Sequence, residues 1–150
     1  MTKALVLYHS QEHGNTAAMA EATAEGLRDA GCEVDLFNTN DGRFDVTRFP
    51  QYDCVAFGSP DYYSYIAGTL KTFLDDWYIA KKTNAQGLTG KPYGLFYSHG
   101  GGGAVRGPLG NLFQRMGTKV GNTIESYGRP NASVLAACRE LGQQLARTVV

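Results

Sequence analysis

An excess of charge of either sign is missing from this sequence: 14 basic side chains are matched by 14 acidic ones, and the formal net charge is zero. A neutral chain has no overall field to steer it onto nucleic acid or an anionic membrane, so neither is expected as a partner. Cysteine is sparse as well. Cys32, Cys54 and Cys138 are odd in number and far apart, with no Cys-x-x-Cys and no histidine at metal-ligand spacing. That pattern argues against a disulfide framework and a metal site, and for reduced thiols in a cytoplasmic protein. No apolar run approaches the roughly 20 residues needed to cross a bilayer. Met1-Thr2-Lys3 leads straight into Ala4-Leu5-Val6-Leu7, which is too short and strand-like for a secretory signal, so a soluble protein that is not exported is expected.

Several enzyme signatures are absent too. His99-Gly100-Gly101-Gly102 looks like the oxyanion-hole glycines of esterases, but no Gly-x-Ser-x-Gly accompanies it. Gly87-Leu88-Thr89-Gly90-Lys91-Pro92 has the wrong spacing for a Walker A loop and lacks the hydroxyl after lysine. The glycines do not form Gly-x-Gly-x-x-Gly after the first strand. A phosphoacceptor domain needs clustered aspartates at strand ends, whereas the first strand here runs into Tyr8-His9-Ser10.

What is there is an ordinary globular composition, 43% hydrophobic and 19% charged, over 150 residues, a length that fits one domain spanning 1–150. Lys3 to Tyr8 and Cys54 to Gly58 are continuous apolar runs of the kind found in central parallel strands, and Tyr93 to Tyr97 reads as the next strand. Glu33 to Asn38 alternates as an edge strand does, and Lys119 to Ser126 makes a weaker last strand. Between them the period changes to that of a helix. Ala17, Ala20, Ala24 and Leu27 mark a helix over Thr16 to Ala30, ended by Gly31, and Leu70, Phe73, Leu74 and Trp77 mark another over Gly68 to Ala80, with Trp77 in the core. A third is expected over Leu109 to Met116, at most a short helical turn between Asp41 and Pro50, and a closing helix capped by Asn131 or Ser133. Alternating strands and helices predict a three-layer α/β sandwich with a five-stranded parallel sheet in the order 2-1-3-4-5, whose ligands bind beyond the carboxyl ends of the first and third strands.

The loops that leave those strands carry unusual residue sets. Ser10-Gln11-Glu12-His13-Gly14-Asn15-Thr16 opens a helix, where free N–H groups and the helix dipole can hold a phosphate without a lysine. A plain N-cap by Asn15 or Thr16 is the alternative, and Glu12 is expected to point to solvent, away from an anion. Gly58-Ser59-Pro60-Asp61-Tyr62-Tyr63 offers flat rings with polar edges, suited to stacking on an aromatic ligand, or to packing on the protein's own surface. Ser98-His99-Gly100-Gly101-Gly102-Gly103 presents N–H groups unobstructed by side chains; four glycines cost folding entropy that a mere connection would not need. His99 is either a ligand contact or a solvent-exposed loop histidine.

These residues resemble the flavodoxin-like flavoproteins, and within them the NAD(P)H:quinone oxidoreductases of the tryptophan-repressor-binding-protein type. The resemblance is closest from Gly58-Ser59-Pro60-Asp61-Tyr62-Tyr63 through Ala67-Gly68-Thr69-Leu70-Lys71-Thr72-Phe73-Leu74-Asp75. It implies FMN, with phosphate at Ser10, Gln11, His13, Gly14, Asn15 and Thr16, and the ring between Pro60-Asp61-Tyr62-Tyr63 and Ser98 to Gly103. It further implies NADH or NADPH as hydride donor and a quinone or similar small molecule as acceptor, with no acid-base residue assigned.

Three functional classes stay open: this oxidoreductase, a flavodoxin-type single-electron carrier serving a redox protein, and a non-redox domain for another phosphorylated ligand. Neutral charge weighs against the carrier, since such carriers are typically acidic. The absence of glycine between Gly58 and Gly68, which denies the loop an easy peptide flip, weighs against it too. The short chain weighs for it. Self-association is not decided by the sequence.

Overall fold

The computed structural model describes residues 1–150. Uninterrupted apolar runs become central strands: β1 (Lys3–Tyr8), β3 (Cys54–Pro60) and β4 (Lys91–His99) are covered on both faces, leaving Leu5, Leu7, Val55, Phe57 and Leu95 with no exposed surface. The alternating segment β2 (Glu33–Asn38) pairs with β1 at the edge. Every pairing is parallel and the order is β2-β1-β3-β4-β5, as the sequence predicts.

The fifth position departs from expectation. Two short segments, β5 (Gly117–Lys119) and β6 (Ile124–Tyr127), replace one continuous strand; β5 pairs with Lys91 to Tyr93 and β6 with Phe96 to His99. Gly121, at φ 68°, turns the chain out of the ladder between them.

The helices are α1 (Asn15–Asp29), α2 (Gly68–Lys82), α3 (Arg106–Phe113) and α4 (Ala132–Arg147). α3 begins earlier than predicted and gives way to a 3-10 turn at Gln114–Met116; the expected short turn is a 3-10 turn over Val46–Gln51. Of the two candidate caps for α4, Asn131 takes the role, its Oδ1 accepting from the Val134 N–H at 2.9 Å. Trp77 is buried, and its indole N–H donates to the Leu88 carbonyl at 2.9 Å, tying down the loop after α2.

The two faces of the sheet are packed differently. α2 and α3 cover an aromatic face on which the Phe57 and Phe113 rings lie 4.2 Å apart. α1 and α4 cover a face of small residues, with Ala20, Ala24 and Leu27 of α1 and Leu141 and Leu145 of α4 over Ala4, Val6 and Ala56. The two helices also touch backbone to backbone. A β-carbon at Gly142 would stand 2.2 Å from the Thr23 carbonyl oxygen, and one at Gly26 would stand 1.9 Å from that of Arg139. This packing holds the amino end of α1 against the carboxyl ends of β1 and β4. All three cysteines are buried and unpaired, and burial pushes Cys54 up to about 12 and Cys138 up to about 11, as for inert thiols.

Candidate functional site

The loops after β1, β3 and β4 meet at one cavity of about 270 Å³. Of the residues singled out in the sequence, Ser10, Gln11, His13, Gly14, Asn15, Thr16, Pro60, Asp61, Tyr62, Ser98, His99 and Gly100 line it. Tyr63, Gly101, Gly102 and Gly103 lie outside the lining, whereas Glu12 and Gly128 belong to it.

The first loop is clamped at its root and open at its crest. Asn38, at the end of β2, accepts from the Ser10 N–H at 3.0 Å through Oδ1 and donates from Nδ2 to the Ser10 carbonyl at 2.9 Å. Ser10 Oγ accepts from the Ala17 N–H at 3.1 Å, so neither Asn15 nor Thr16 acts as a side-chain cap; Gly14, at φ 74°, precedes the helix. Thr16 bonds through its hydroxyl to Ser98 Oγ at 2.8 Å. The backbone N–H groups of Gln11 through Thr16 donate to no protein acceptor. They form a run of free donors on the cavity wall at the positive end of α1. No lysine or arginine lines the cavity, and Glu12 is exposed, 4.0 Å from His13 Nε2.

The second loop ties itself to the third. The Asp61 N–H donates to the Ser98 carbonyl at 2.9 Å, and its Oδ2 accepts from the Val105 N–H at 3.2 Å. Tyr62 and Tyr65 exchange backbone hydrogen bonds of 3.0 and 3.1 Å around Tyr63 and Ser64, whose φ values of 55° and 64° make this the tight turn of a two-residue hairpin. Tyr62 is thereby held half-buried at the cavity, while Tyr63 projects from the tip fully exposed.

In the third loop, Gly102 and Gly103 take positive φ values of 86° and 65°, which explains two of the four glycines by backbone geometry. A β-carbon at Gly103 would meet Glu125 Oε2 at 2.9 Å and His99 Nε2 at 3.2 Å. The solvent-exposed reading of His99 fails, because its side chain is only 5% exposed, stacked 5.9 Å from Tyr97 with the Tyr127 ring edge-on at 5.0 Å. Glu125 Oε2 stands 3.1 Å from its Nε2. The Tyr97 hydroxyl, donating to Glu125 at 2.5 Å, is the main influence holding that carboxyl below the usual range, and His99 and Arg106 act in the same direction.

The flavodoxin family model matches residues 6–145. The chain belongs to the flavodoxin family. Family membership implies flavin binding, and the free N–H run on the first loop fits a phosphate group. This flavodoxin-family chain is 29% identical over 149 residues to a coenzyme F420H(2) oxidase of Methanothermobacter thermautotrophicus, spanning 96% of itself and 35% of that protein. It therefore corresponds to about a third of that relative. Among solved structures, a flavodoxin from the domain Archaea superposes with a TM-score of 0.80 at 24% identity, covering 99% of both chains. A WrbA-like flavodoxin from Agrobacterium tumefaciens gives 0.79 at 20%, over 99% of this chain and 97% of that one. These two likenesses concern the fold. No helix is long and apolar enough to cross a membrane.

Sequence reasoning on this flavodoxin-family chain missed the residues that hold the loops in place. Asn38 carries only a generic strand-end signal, and Glu125 lies in a segment that reads as a weak strand. His9 directly follows β1 and carries no motif of its own. It is 3% exposed, with Nδ1 2.6 Å from Thr69 Oγ1, which in turn is 2.8 Å from Thr39 Oγ1.

Proposed function

We propose that this chain binds FMN in the cavity and works as an NAD(P)H-dependent oxidoreductase that reduces quinones or similar small acceptors. The observation that carries the reading is the run of unpaired N–H groups from Gln11 through Thr16, in the same cavity as Tyr62. A phosphate accepts from the first and an aromatic ring packs on the second. Ser10, Gln11, His13, Gly14, Asn15 and Thr16 would take the phosphate. Pro60, Asp61 and Tyr62 would take one side of the ring, and Ser98, His99 and Gly100 the other, with Tyr63 and Gly101 to Gly103 standing outside the lining. Bound FMN would supply hydride acceptance and onward electron transfer. The residues around it would position the ring and, through the free N–H group of Gly100, offer a donor to its edge.

Reconstitution with FMN followed by visible spectroscopy tests the first step, and absence of binding overturns the flavin reading. Oxidation of NADH or NADPH in the presence of a quinone tests the second; the rate should depend on added FMN. The relative from Methanothermobacter thermautotrophicus, a coenzyme F420H(2) oxidase, makes reduced F420 a further hydride donor to include in that assay.

A second reading, a carrier that passes single electrons to a protein partner, is favoured by the exposed aromatic residues beside cavity positions, Tyr63 and Tyr65 after Tyr62, and Tyr127 before Gly128. Failure of every hydride donor, together with reduction in one-electron steps during a titration, selects it.

A further inference from the structure

The net charge of zero conceals a separation of charge along the chain. Residues 1–76 hold 12 of the 14 carboxylates and 5 of the 14 basic side chains, and residues 77–150 hold the other 2 and 9. The two halves therefore carry formal charges of −7 and +7. The fold keeps them apart in space. The first half builds β1, β2, β3 and α1, and the second builds β4, β5, β6, α3 and α4, so the order β2-β1-β3-β4-β5 sets an acidic edge of the sheet opposite a basic one. Four strand spacings of about 4.8 Å put those edges about 19 Å apart, roughly twice the ~8 Å over which charges act at physiological salt. A partner at one edge responds to that edge and not to the sum.

Little is neutralised across the boundary. Arg139 and Glu25, 3.6 Å apart, form the one ion pair that joins the halves. Arg43, Arg48 and Lys71 pair with Asp76, Asp35 and Asp75 inside the acidic half. Arg106, Lys119 and Arg129 are exposed and pair with no carboxylate.

The positive half reaches the mouth of the cavity. Gly128 lines it, between Tyr127, which is 73% exposed with its ring edge-on to His99, and Arg129, which lines a neighbouring depression walled by the same His13, Gly14 and Asn15. Arg106 follows the third loop and donates to the Tyr97 hydroxyl at 3.3 Å. Glu125 stands among them, but its carboxylate accepts from Tyr97 and faces His99. The remaining carboxylates of the mouth, Glu12 and Asp61, come from the first and second loops. An exposed aromatic ring beside unpaired arginines has the composition of a protein interface. A long polyanion laid across the mouth would also meet Glu12 and Asp61, whereas a compact partner with a limited acidic area need not.

We propose that the rim carrying Arg106, Tyr127 and Arg129 is the docking surface for a protein partner with an acidic face, and that the separated charges turn this rim, rather than the β2 edge, toward it. This names the class of partner for the carrier reading above and rests on that reading for its purpose; docking itself needs no flavin.

The probes are a plant-type ferredoxin, which is acidic, and a mitochondrial cytochrome c, which is basic. Each is titrated into the ¹⁵N-labelled full chain, and amide NMR spectra give the readout. At low salt the ferredoxin should shift or broaden the amides from Gly103 to Arg106 and from Ser126 to Arg129, and the cytochrome should instead move those at Glu21, Asp29 and Glu33. Both effects should disappear at about 1 M salt, where charges are screened beyond about 3 Å. Arg129 makes no ion pair, so Arg129→Glu should keep the melting temperature. The same change should weaken ferredoxin binding roughly fivefold at low salt without weakening that of the cytochrome.

Lys81, Lys82 and Arg115 belong to the same half but meet at the carboxyl end of α2, away from the cavity. Ferredoxin contacts confined to them overturn the docking assignment, as does binding indifferent to salt or to Arg129→Glu. Rim shifts that grow with the concentration of the chain alone assign the surface to a second copy, and tighter binding of a single-stranded oligonucleotide at the same amides assigns it to nucleic acid; either overturns it. FMN binding without ferredoxin docking leaves the flavin reading standing and removes this one. Docking without FMN binding does the reverse.

Discussion

Thr16 and Ser98 stand 82 positions apart in the chain and share a buried hydroxyl–hydroxyl hydrogen bond of 2.8 Å. The bond joins the first turn of α1 to the end of β4, and so fixes the distance between the loop that holds an anion and the loop proposed to hold a ring edge. Each hydroxyl is the other's only protein side-chain partner, and both residues are buried.

A double-mutant cycle should detect this bond. Thr16→Val and Ser98→Ala should each lower the unfolding free energy by about 1 kcal/mol or more, and the pair should cost less than the sum by about 0.5–1.5 kcal/mol. Urea denaturation of the four proteins measures it; strict additivity would count against the bond.

The contact between α1 and α4 tolerates no side chain at Gly142, where a β-carbon would stand 2.2 Å from a backbone oxygen. Gly142→Ala should destabilise the fold by about 1–3 kcal/mol through overpacking. Gly107, in α3 with open space around it, should respond with the opposite sign. Gly107→Ala should gain about 0.5–1 kcal/mol from helix propensity. Thermal or urea unfolding of both variants gives the comparison.

Two adjacent non-glycine residues at positive φ, Tyr63 and Ser64, carry backbone strain at the tip of the second loop. Ser64→Gly should raise stability by about 1 kcal/mol, the scale of the left-handed penalty. Calorimetry reads the result, and a loss of stability would show that the turn is not strained.

The same turn separates two tyrosines by function. Tyr62→Ala should weaken FMN binding roughly tenfold, as expected for loss of a ring contact, while Tyr63→Ala should change it little because Tyr63 lies outside the cavity. Flavin fluorescence titration of the two variants decides between them; equal effects would assign Tyr63 a place on the ring.

Acid sensitivity follows from His9. Its pKa is lowered in the folded state by burial, so the unfolded chain binds a proton first as pH falls below about 6.5. Above that value both states are neutral and the ring adds no protonation cost. Its cost to folding grows as pH drops from about 6.5 toward the lowered folded-state value, and then levels off. The melting temperature of the unmodified protein should therefore fall more between pH 7.5 and 5.5 than that of His9→Phe. Parallel pH profiles would rule out the titration of His9 as the cause.

Much of this molecule is legible in short windows of sequence. The uninterrupted runs of β1 and β3 and the alanine spacing of α1 mark their own elements, because periodicity is a property of a few consecutive residues. Three segments resisted for physical reasons. Two stretches share the fifth position because Gly121 leaves the ladder, and a weak alternating pattern does not reveal the break. α3 begins before its first apolar anchor, since Val105, just ahead of it, is held by the Asp61 carboxylate rather than by a local cap. Asn38 fastens the first loop from a neighbouring strand, and nothing in its own surroundings distinguishes it from any strand-end asparagine.

The sequence by itself determined the element types, the parallel order of the sheet and, through that order, which three loops would meet. Tertiary structure decided which groups in those loops are already occupied and which are left free. Ser10 and Thr16 are engaged by Ala17 and Ser98, the N–H groups of Gln11 through Thr16 are not, and His9 Nδ1 is taken up by Thr69 of α2, which is bonded in turn to Thr39 beyond β2. Periodicity is written locally, but a hydrogen bond belongs to whichever donor and acceptor packing brings within 3 Å or so, and those partners lie tens of residues apart.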